Sequence, residues 1–347
     1  MVRPRGKSDP RALDAMTRWR LWLTTAALAV AGCAGPFPQS TLRPRSDFGR
    51  AIDHLFTDIF WWAVVVFAIV EGLLLFVIIR YRHRDGGGKP SALHGHTALE
   101  IGWTLAPALI LVFIAVPTMR TIFATQARAP AGALRVEVIG HQWWWEFRYP
   151  ELGLVTANEL HLPRGKPVEL EMTSADVIHS FWAPGLGGKR DLTPGRTTRI
   201  AFTPDSISEY QGQCAEFCGA SHANMRLRVF VQSDSAFAAW VAVQRTDAAV
   251  PARGSLAERG QQAFAHGPCI ACHTIAGVPQ ARGTVGPNLT HVGSRTMLAG
   301  ATLPNTAEWL RRWITHAPSL KPGSLMPAMP LPDDQVAALI AYIQSLQ

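Results

Sequence analysis

Two apolar stretches, Ile59–Ile79 and Ile101–Met119, constrain this chain more than any other feature. The first is broken only by Glu71, and the second holds no charge. Each is long enough as a helix to cross a hydrocarbon core of about 30 Å. The segment between them opens Arg80-Tyr81-Arg82-His83-Arg84 and continues through Gly86–Gly88 to Lys89. Short loops rich in Lys and Arg stay on the cytoplasmic side. The pattern therefore predicts a transmembrane hairpin over residues 55–122 with a cytoplasmic loop near 80–98, and places residues 33–54 and everything beyond about residue 120 outside. Glu71 sits inside the first span. An intramembrane carboxylate is costly and normally finds a partner, so it is expected to be protonated or to face a neighbouring subunit.

The N-terminus agrees with this topology. A basic leader ending in Arg18 and Arg20 precedes an apolar run, Leu21–Ala31, that is too short to span a bilayer. Residues 1–32 read as a signal peptide. The net charge of +8 would suit a nucleic-acid partner, but its location does not. The leader and the inter-span loop hold most of the excess. Residues 133–232 carry ten basic against eleven acidic side chains. Charge at those places serves targeting and membrane topology, and nucleic-acid binding is excluded on that ground.

Beyond the hairpin the composition changes twice. Residues 133–232 carry short strand-like runs, with Val168–Met172 alternating at period two and Leu134–Ile139 and Arg199–Phe202 as further candidates. Several strands in about 100 residues predict a sandwich or barrel. An Ala-rich stretch, 233–250, reads as a flexible linker. Residues 251–347 are helical in pattern over Leu256–Phe264 and Asp333–Leu346. The chain is thus expected to be multidomain: a two-helix hairpin, an all-β domain and an all-α domain.

Five cysteines fall into local motifs that do not form a disulfide framework. Cys214 and Cys218 share a loop with His222 and Met225, and His179 lies at an earlier strand end. Thiolates, a thioether and imidazoles together select copper over harder metals. A structural zinc site is the alternative. The methionine and the absence of a second Cys-x-x-Cys pair argue against it. Cys269-Ile270-Ala271-Cys272-His273 is a c-type haem attachment motif, in which the thiols take the vinyl groups and His273 the iron. Lys321–Met329 supplies two methionines, Met326 and Met329, as sixth-ligand candidates, and His/Met ligation raises a haem potential.

These motifs carry a resemblance. Gln213–Met225 together with Asp176–Trp182 resembles the CuA site of cytochrome oxidase subunit II, whose periplasmic domain is cupredoxin-like. The resemblance implies bridging thiolates at Cys214 and Cys218 and imidazole ligands at His179 and His222. It implies weak ligation by Met225 and by the carbonyl of Glu216, whose carboxylate would reach a magnesium shared with subunit I. The aromatic run Gly140–Phe147 resembles the family's stretch in which Trp143 admits electrons. The family's usual tyrosine at the next position is Trp144 here. Leu99–Pro107 resembles the start of the second span, where Glu100 would stand at the mouth of a proton channel. Gly283–Leu289 and Lys321–Pro327 resemble the loops of a class I cytochrome c. They imply that the Pro287 carbonyl orients His273 and that Met326 is the sixth ligand. Val30-Ala31-Gly32-Cys33 resembles a lipobox, which implies lipidation of Cys33; a plain signal peptide with an incidental cysteine is the alternative.

The whole implies the electron-input subunit of a respiratory oxidase. Electrons would pass from a donor through haem c and a dinuclear copper centre to subunit I, which reduces oxygen and pumps protons, with subunit III as a further partner. The alternatives are the copper subunit of a nitric oxide reductase and a stand-alone electron-transfer lipoprotein. Glu100 and Glu216 argue against the first, and the hairpin argues against the second.

Overall fold

The computed structural model describes residues 19–25, 28, 37–82 and 95–347. Cys33 and residues 83–94 of the inter-span loop lie outside the described residues. Within the first 38 residues, 19–25 are helical. All that follows concerns the compact unit Gln39–Gln347.

Both apolar stretches are helical and extend past the predicted spans: α1 covers Asp47–Arg80 and α2 covers Thr97–Gln126. Their apolar side chains are exposed along the spans, as lipid-facing helices require. The two helices meet through a stack of Trp62 on Phe113, with ring centroids 6.0 Å apart. The extra turns of α1, before the apolar stretch, dock on the β domain. Ser46 caps the helix by accepting from Gly49 N at 2.9 Å, and its hydroxyl donates to Leu186 O. Asp47 accepts from Thr203 N at 2.7 Å, and Arg50 pairs with Asp205.

The β domain is a sandwich of two five-stranded sheets. One sheet holds β1 (Leu134–His141), β2 (Trp144–Tyr149), β3 (Leu154–Ala157), β5 (Val168–Ser174) and β8 (Thr198–Phe202) in the order β3-β2-β1-β5-β8. The other holds β4 (Glu159–Pro163), β6 (His179–Trp182), β7 (Arg190–Leu192), β9 (Ser208–Cys214) and β10 (Arg226–Gln232) in the order β4-β10-β9-β6-β7. The alternation seen in the sequence is the alternation of burial: in β5 Val168, Leu170, Met172 and Ser174 point inward and their neighbours outward. Val136, Val138, Leu160, Leu170 and Met172 are fully buried between the sheets. Each such side chain contributes about 1.5–3 kcal/mol.

The stretch expected to be a flexible linker is not one. Helix α3 (Asp234–Gln244) fills most of it, capped by Ser233, which accepts from Ala236 N at 3.2 Å. Phe237, Trp240 and Val241 recur at helical spacing and pack on the sandwich, with Trp240 stacked 4.2 Å from His161. The remaining residues are tied to the next domain, since Ala248 N donates to Ala276 O at 3.0 Å and His291 reaches Thr246 O at 3.0 Å.

The last domain crosses α4 (Leu256–His266) against α6 (Asp333–Ser345). The crossing needs Gly260, because a Cβ there would fall 2.0 Å from Ala338 O. Helix α5 (Ala307–Leu320) is kinked at His316 ahead of Pro318. Proline has no N–H to give the Ile314 carbonyl four residues back. Met329 N donates to that carbonyl at 3.3 Å instead, which anchors the methionine loop on the kink.

Candidate functional site

Strands β6 and β9 are antiparallel neighbours, with Phe181 opposite Cys214. That pairing brings His179 and Cys214, distant in sequence, to one end of one sheet. From Cys214 the chain turns through a loop closed by Cys214 N donating to Met225 O at 2.8 Å. The loop folds its donors inward. Cys214 Sγ lies 3.8 Å from Cys218 Sγ, 3.8 Å from His179 Nδ1 and 3.3 Å from the Glu216 carbonyl oxygen. Cys218 Sγ lies 3.5 Å from His222 Nδ1 and 3.9 Å from Met225 Sδ. Two sulfurs therefore form the centre of the cluster, each flanked by one imidazole nitrogen and one weaker donor. Cys214, Cys218, His179 and Met225 are buried, while the Glu216 side chain is exposed.

With only protons present, the two sulfurs cannot both ionise so close together. The contact with Cys218 holds the Cys214 thiol well below the usual thiol range, and the same contact pushes the Cys218 thiol up. Burial lowers the His179 imidazole, but its contacts with Cys214 and Asp176 outweigh this and raise it. A thiolate beside imidazoles with a thioether in reach is a soft donor set that fits copper.

A second ring of residues fixes the donors. His179 Nε2 is 2.8 Å from Asp176 Oδ1, which turns Nδ1 toward the sulfurs. The other Asp176 oxygen accepts from Gln142 N at 2.6 Å. Gln142 Nε2 and Trp143 Nε1 both donate to the Cys218 carbonyl, at 2.8 and 2.9 Å. Gly140 leaves room for the imidazole, because a Cβ there would come 2.7 Å from His179 Cδ2. Asp176 and Gln142 were not among the residues picked out from the sequence; Asp176, three residues before His179, carried the only signal. A cavity of about 520 Å³ opens beside the cluster, lined by Cys214, Ala215 and His222 and, toward α1, by Gly49 and Ile52.

The haem motif is built locally. Pro268–Ala271 forms a 3-10 turn that carries Cys269, and neither Cys269 nor Cys272 is in a disulfide. His273 Nδ1 donates to the Pro287 carbonyl at 2.8 Å. Burial lowers the imidazole's basicity, and with Nδ1 engaged by Pro287 it is Nε2 that is left for a metal. Gly286 packs flat on the ring, since a Cβ there would lie 2.6 Å from His273 Cε1. Paired thiols beside an oriented imidazole fit a covalent haem. Met326 and Met329 are both half-buried against this domain's core, so burial does not separate them.

Trp143 is 7% exposed, bonded to the Cys218 carbonyl on one side and packed against Gly323 of the haem domain on the other. Glu100 sits at the start of α2, exposed, and its Oε1 accepts from His96 N at 3.1 Å. That is a helix-capping bond.

Fold and sites together define a class: a membrane-anchored chain bearing a cupredoxin-like domain with a soft-metal donor set and a cytochrome c domain. Comparison with known proteins agrees along the chain. The family described as cytochrome c oxidase subunit II, transmembrane domain, matches residues 45–121; its periplasmic domain matches 152–232; and cytochrome c matches 257–347. The chain is 35% identical to cytochrome c oxidase subunit 2 of Alkalihalophilus pseudofirmus, over 94% of this chain and 99% of that one. It is 32% identical to the Bacillus subtilis subunit, over 95% and 98%. The solved periplasmic domain of cytochrome oxidase subunit II from Bradyrhizobium japonicum covers 34% of this chain and 97% of its own, at 31% identity and a TM-score of 0.33. The chain belongs to the cytochrome c oxidase subunit II family.

Proposed function

We propose that this chain is the electron-input subunit of an oxygen-reducing, proton-translocating oxidase: electrons from an upstream donor pass through haem c and a dinuclear CuA centre to subunit I. The observation that carries this reading is the convergence of two cysteine sulfurs, two imidazoles and a thioether on one point, with a haem-attachment domain packed beside it. Two coppers sharing Cys214 and Cys218 would spread one electron over both metals with little change in geometry. His179, His222, Met225 and the Glu216 carbonyl complete the set. These residues supply a cradle held by Asp176, Gln142 and Trp143.

Trp143 is the residue through which the copper loop receives electrons. Its indole N–H is bonded to the carbonyl of a copper-bridging cysteine. Cys269, Cys272 and His273 would hold the haem, Pro287 orients His273, and Met326 would supply the sixth ligand. The exposed Glu216 carboxylate is free to reach a magnesium at the contact with subunit I. Glu100 belongs at the cytoplasmic mouth of a proton channel, and Glu100→Gln is expected to slow proton uptake without slowing haem-to-copper transfer. The basic segment between the spans supports an orientation with both cofactor domains on the outer face of a bacterial cell membrane, against subunit I and with subunit III in the same complex. Cys33 is the lipidated N-terminus of the mature chain, which intact-mass analysis of membrane-extracted protein tests.

The direct test of the reading is spectroscopic. The purified complex should show a c-type haem in its visible spectrum and a mixed-valence, seven-line electron paramagnetic resonance pattern from two coppers. A four-line mononuclear copper pattern would overturn the dinuclear assignment.

A further inference from the structure

Two ionisable side chains cross the seam between the copper and haem domains, one in each direction. Lys321 of the haem domain is 4% exposed, and its Nζ donates to the carbonyl of Trp143 at 2.5 Å and to that of Ala299 at 2.8 Å. Glu159 of the copper domain is 3% exposed. Its Oε1 accepts from Thr296 N at 2.7 Å, Thr296 Oγ1 at 2.6 Å and Met297 N at 3.2 Å. Between these two points Ser221 Oγ donates to Pro322 O at 2.7 Å, and Arg226 N donates to Gly300 O at 2.9 Å. Gly323, at φ +80, lies against the Trp143 indole so closely that a Cβ would fall 2.5 Å from Cη2.

Ionisable groups are buried at a cost unless they are fully hydrogen-bonded. The seam offsets that cost by giving each group hydrogen bonds across the joint, and removing one partner while the other stays buried carries the largest penalty. Lys321 divides its hydrogen bonds between Trp143 of the copper domain and Ala299 of its own domain, and Glu159 takes all of its own from Thr296 and Met297 of the haem domain. Burial also lowers the Lys321 amine to about 7. Its N–H donors meet the Trp143 carbonyl across the seam and the Ala299 carbonyl, which also accepts from Thr302 Oγ1 at 2.8 Å.

We infer that Lys321 and Glu159 are positioning residues that latch the haem domain onto the copper domain, closing the Trp143 face to external protein donors and making the haem domain the port through which such donors deliver electrons. This rests on the electron-input reading above.

The test uses the intact oxidase carrying Lys321→Met or, from the other side of the seam, Glu159→Ala. Glu159→Gln, which keeps an acceptor oxygen, serves as the conservative control. The latch predicts at least tenfold faster hydrogen exchange at the Arg226 and Thr296 amides in Lys321→Met and Glu159→Ala, with Glu159→Gln close to wild type. It also predicts at least severalfold slower haem-to-copper transfer at unchanged haem and copper potentials. A soluble c-type cytochrome should gain the ability to reduce copper directly while the haem is held oxidised. If either latch variant fails to assemble, the other carries the test. Unchanged exchange and transfer in an assembled latch variant would overturn the latch while leaving electron input intact. Absence of any haem-to-copper transfer in the wild-type complex would instead overturn the electron-input reading.

Discussion

The two cofactor sites of this chain are built in opposite ways. The copper donors come from two strands and a loop, and they meet only because β6 pairs with β9. Their positions are then fixed by hydrogen bonds from residues that touch no metal: Asp176 on His179, and Gln142 and Trp143 on the Cys218 carbonyl. The candidate haem site is one contiguous motif plus a loop carbonyl, and the grip such a motif offers is covalent. Geometry imposed by a fold suits a centre whose task is to change oxidation state without rearranging. Covalent attachment suits a cofactor that must remain bound while its surroundings are a few loops. One site therefore depends on its supporting shell, and the other depends on its ligands.

That contrast can be broken most severely at the sulfurs. Cys214→Ser or Cys218→Ser removes one of the two atoms at the centre of the donor cluster, and the mixed-valence copper signal should vanish entirely. An unchanged seven-line spectrum in either variant would mean that the sulfurs do not bridge. The supporting shell is the next target. Asp176→Asn weakens the acceptor that orients His179, and loss of such a partner typically lowers metal affinity about 10–100-fold. Competition with a copper chelator measures this. No loss of affinity would mean that the shell is dispensable and the contrast with the haem site is false.

At the haem the expected change is smaller, because attachment survives. Met326→Ala should lower the haem potential and leave the covalent haem in place, since methionine ligation raises the potential. Met329→Ala should leave the potential near that of the wild type. The opposite pattern would transfer the ligand role to Met329, whose backbone is already anchored on the α5 kink.

The same division explains what could be read from the sequence. The haem motif and the copper loop are short, with spacings set by covalent or loop geometry, so Cys269–His273 and Cys214–Met225 stand out unaided. The spans and the period-two strands were also legible, because burial by lipid or by a second sheet imposes one simple rule on every residue. Asp176 was not legible as an orienting group, because an aspartate three residues before a histidine has meaning only once the turn places it on Nε2. Lys321 enters the sequence reading only as the first residue of the methionine loop; only the packed seam shows it buried. The helix at Asp234–Gln244 was legible in principle. Ser233 followed by Asp234 is a cap signal, and Phe237, Trp240 and Val241 are helically spaced. The Ala-rich composition was read as a coil in spite of these signals.

The correction at that helix changes the physical basis of electron input. A coil would hold the haem domain near the copper domain only by raising its effective concentration. The structure instead packs the haem domain against Trp143 through a buried seam. Ion pairs formed on encounter are screened by salt, whereas a seam already buried is screened little. The decisive measurement is therefore the rate of haem-to-copper transfer within the complex, followed after rapid photoreduction of the haem at low and at high ionic strength. The account predicts a fast internal step that salt scarcely alters, alongside a bimolecular step from the external donor that does respond to salt. An internal rate that falls steeply with salt would contradict it, because the haem domain would then reach the copper domain by repeated charge-steered encounter.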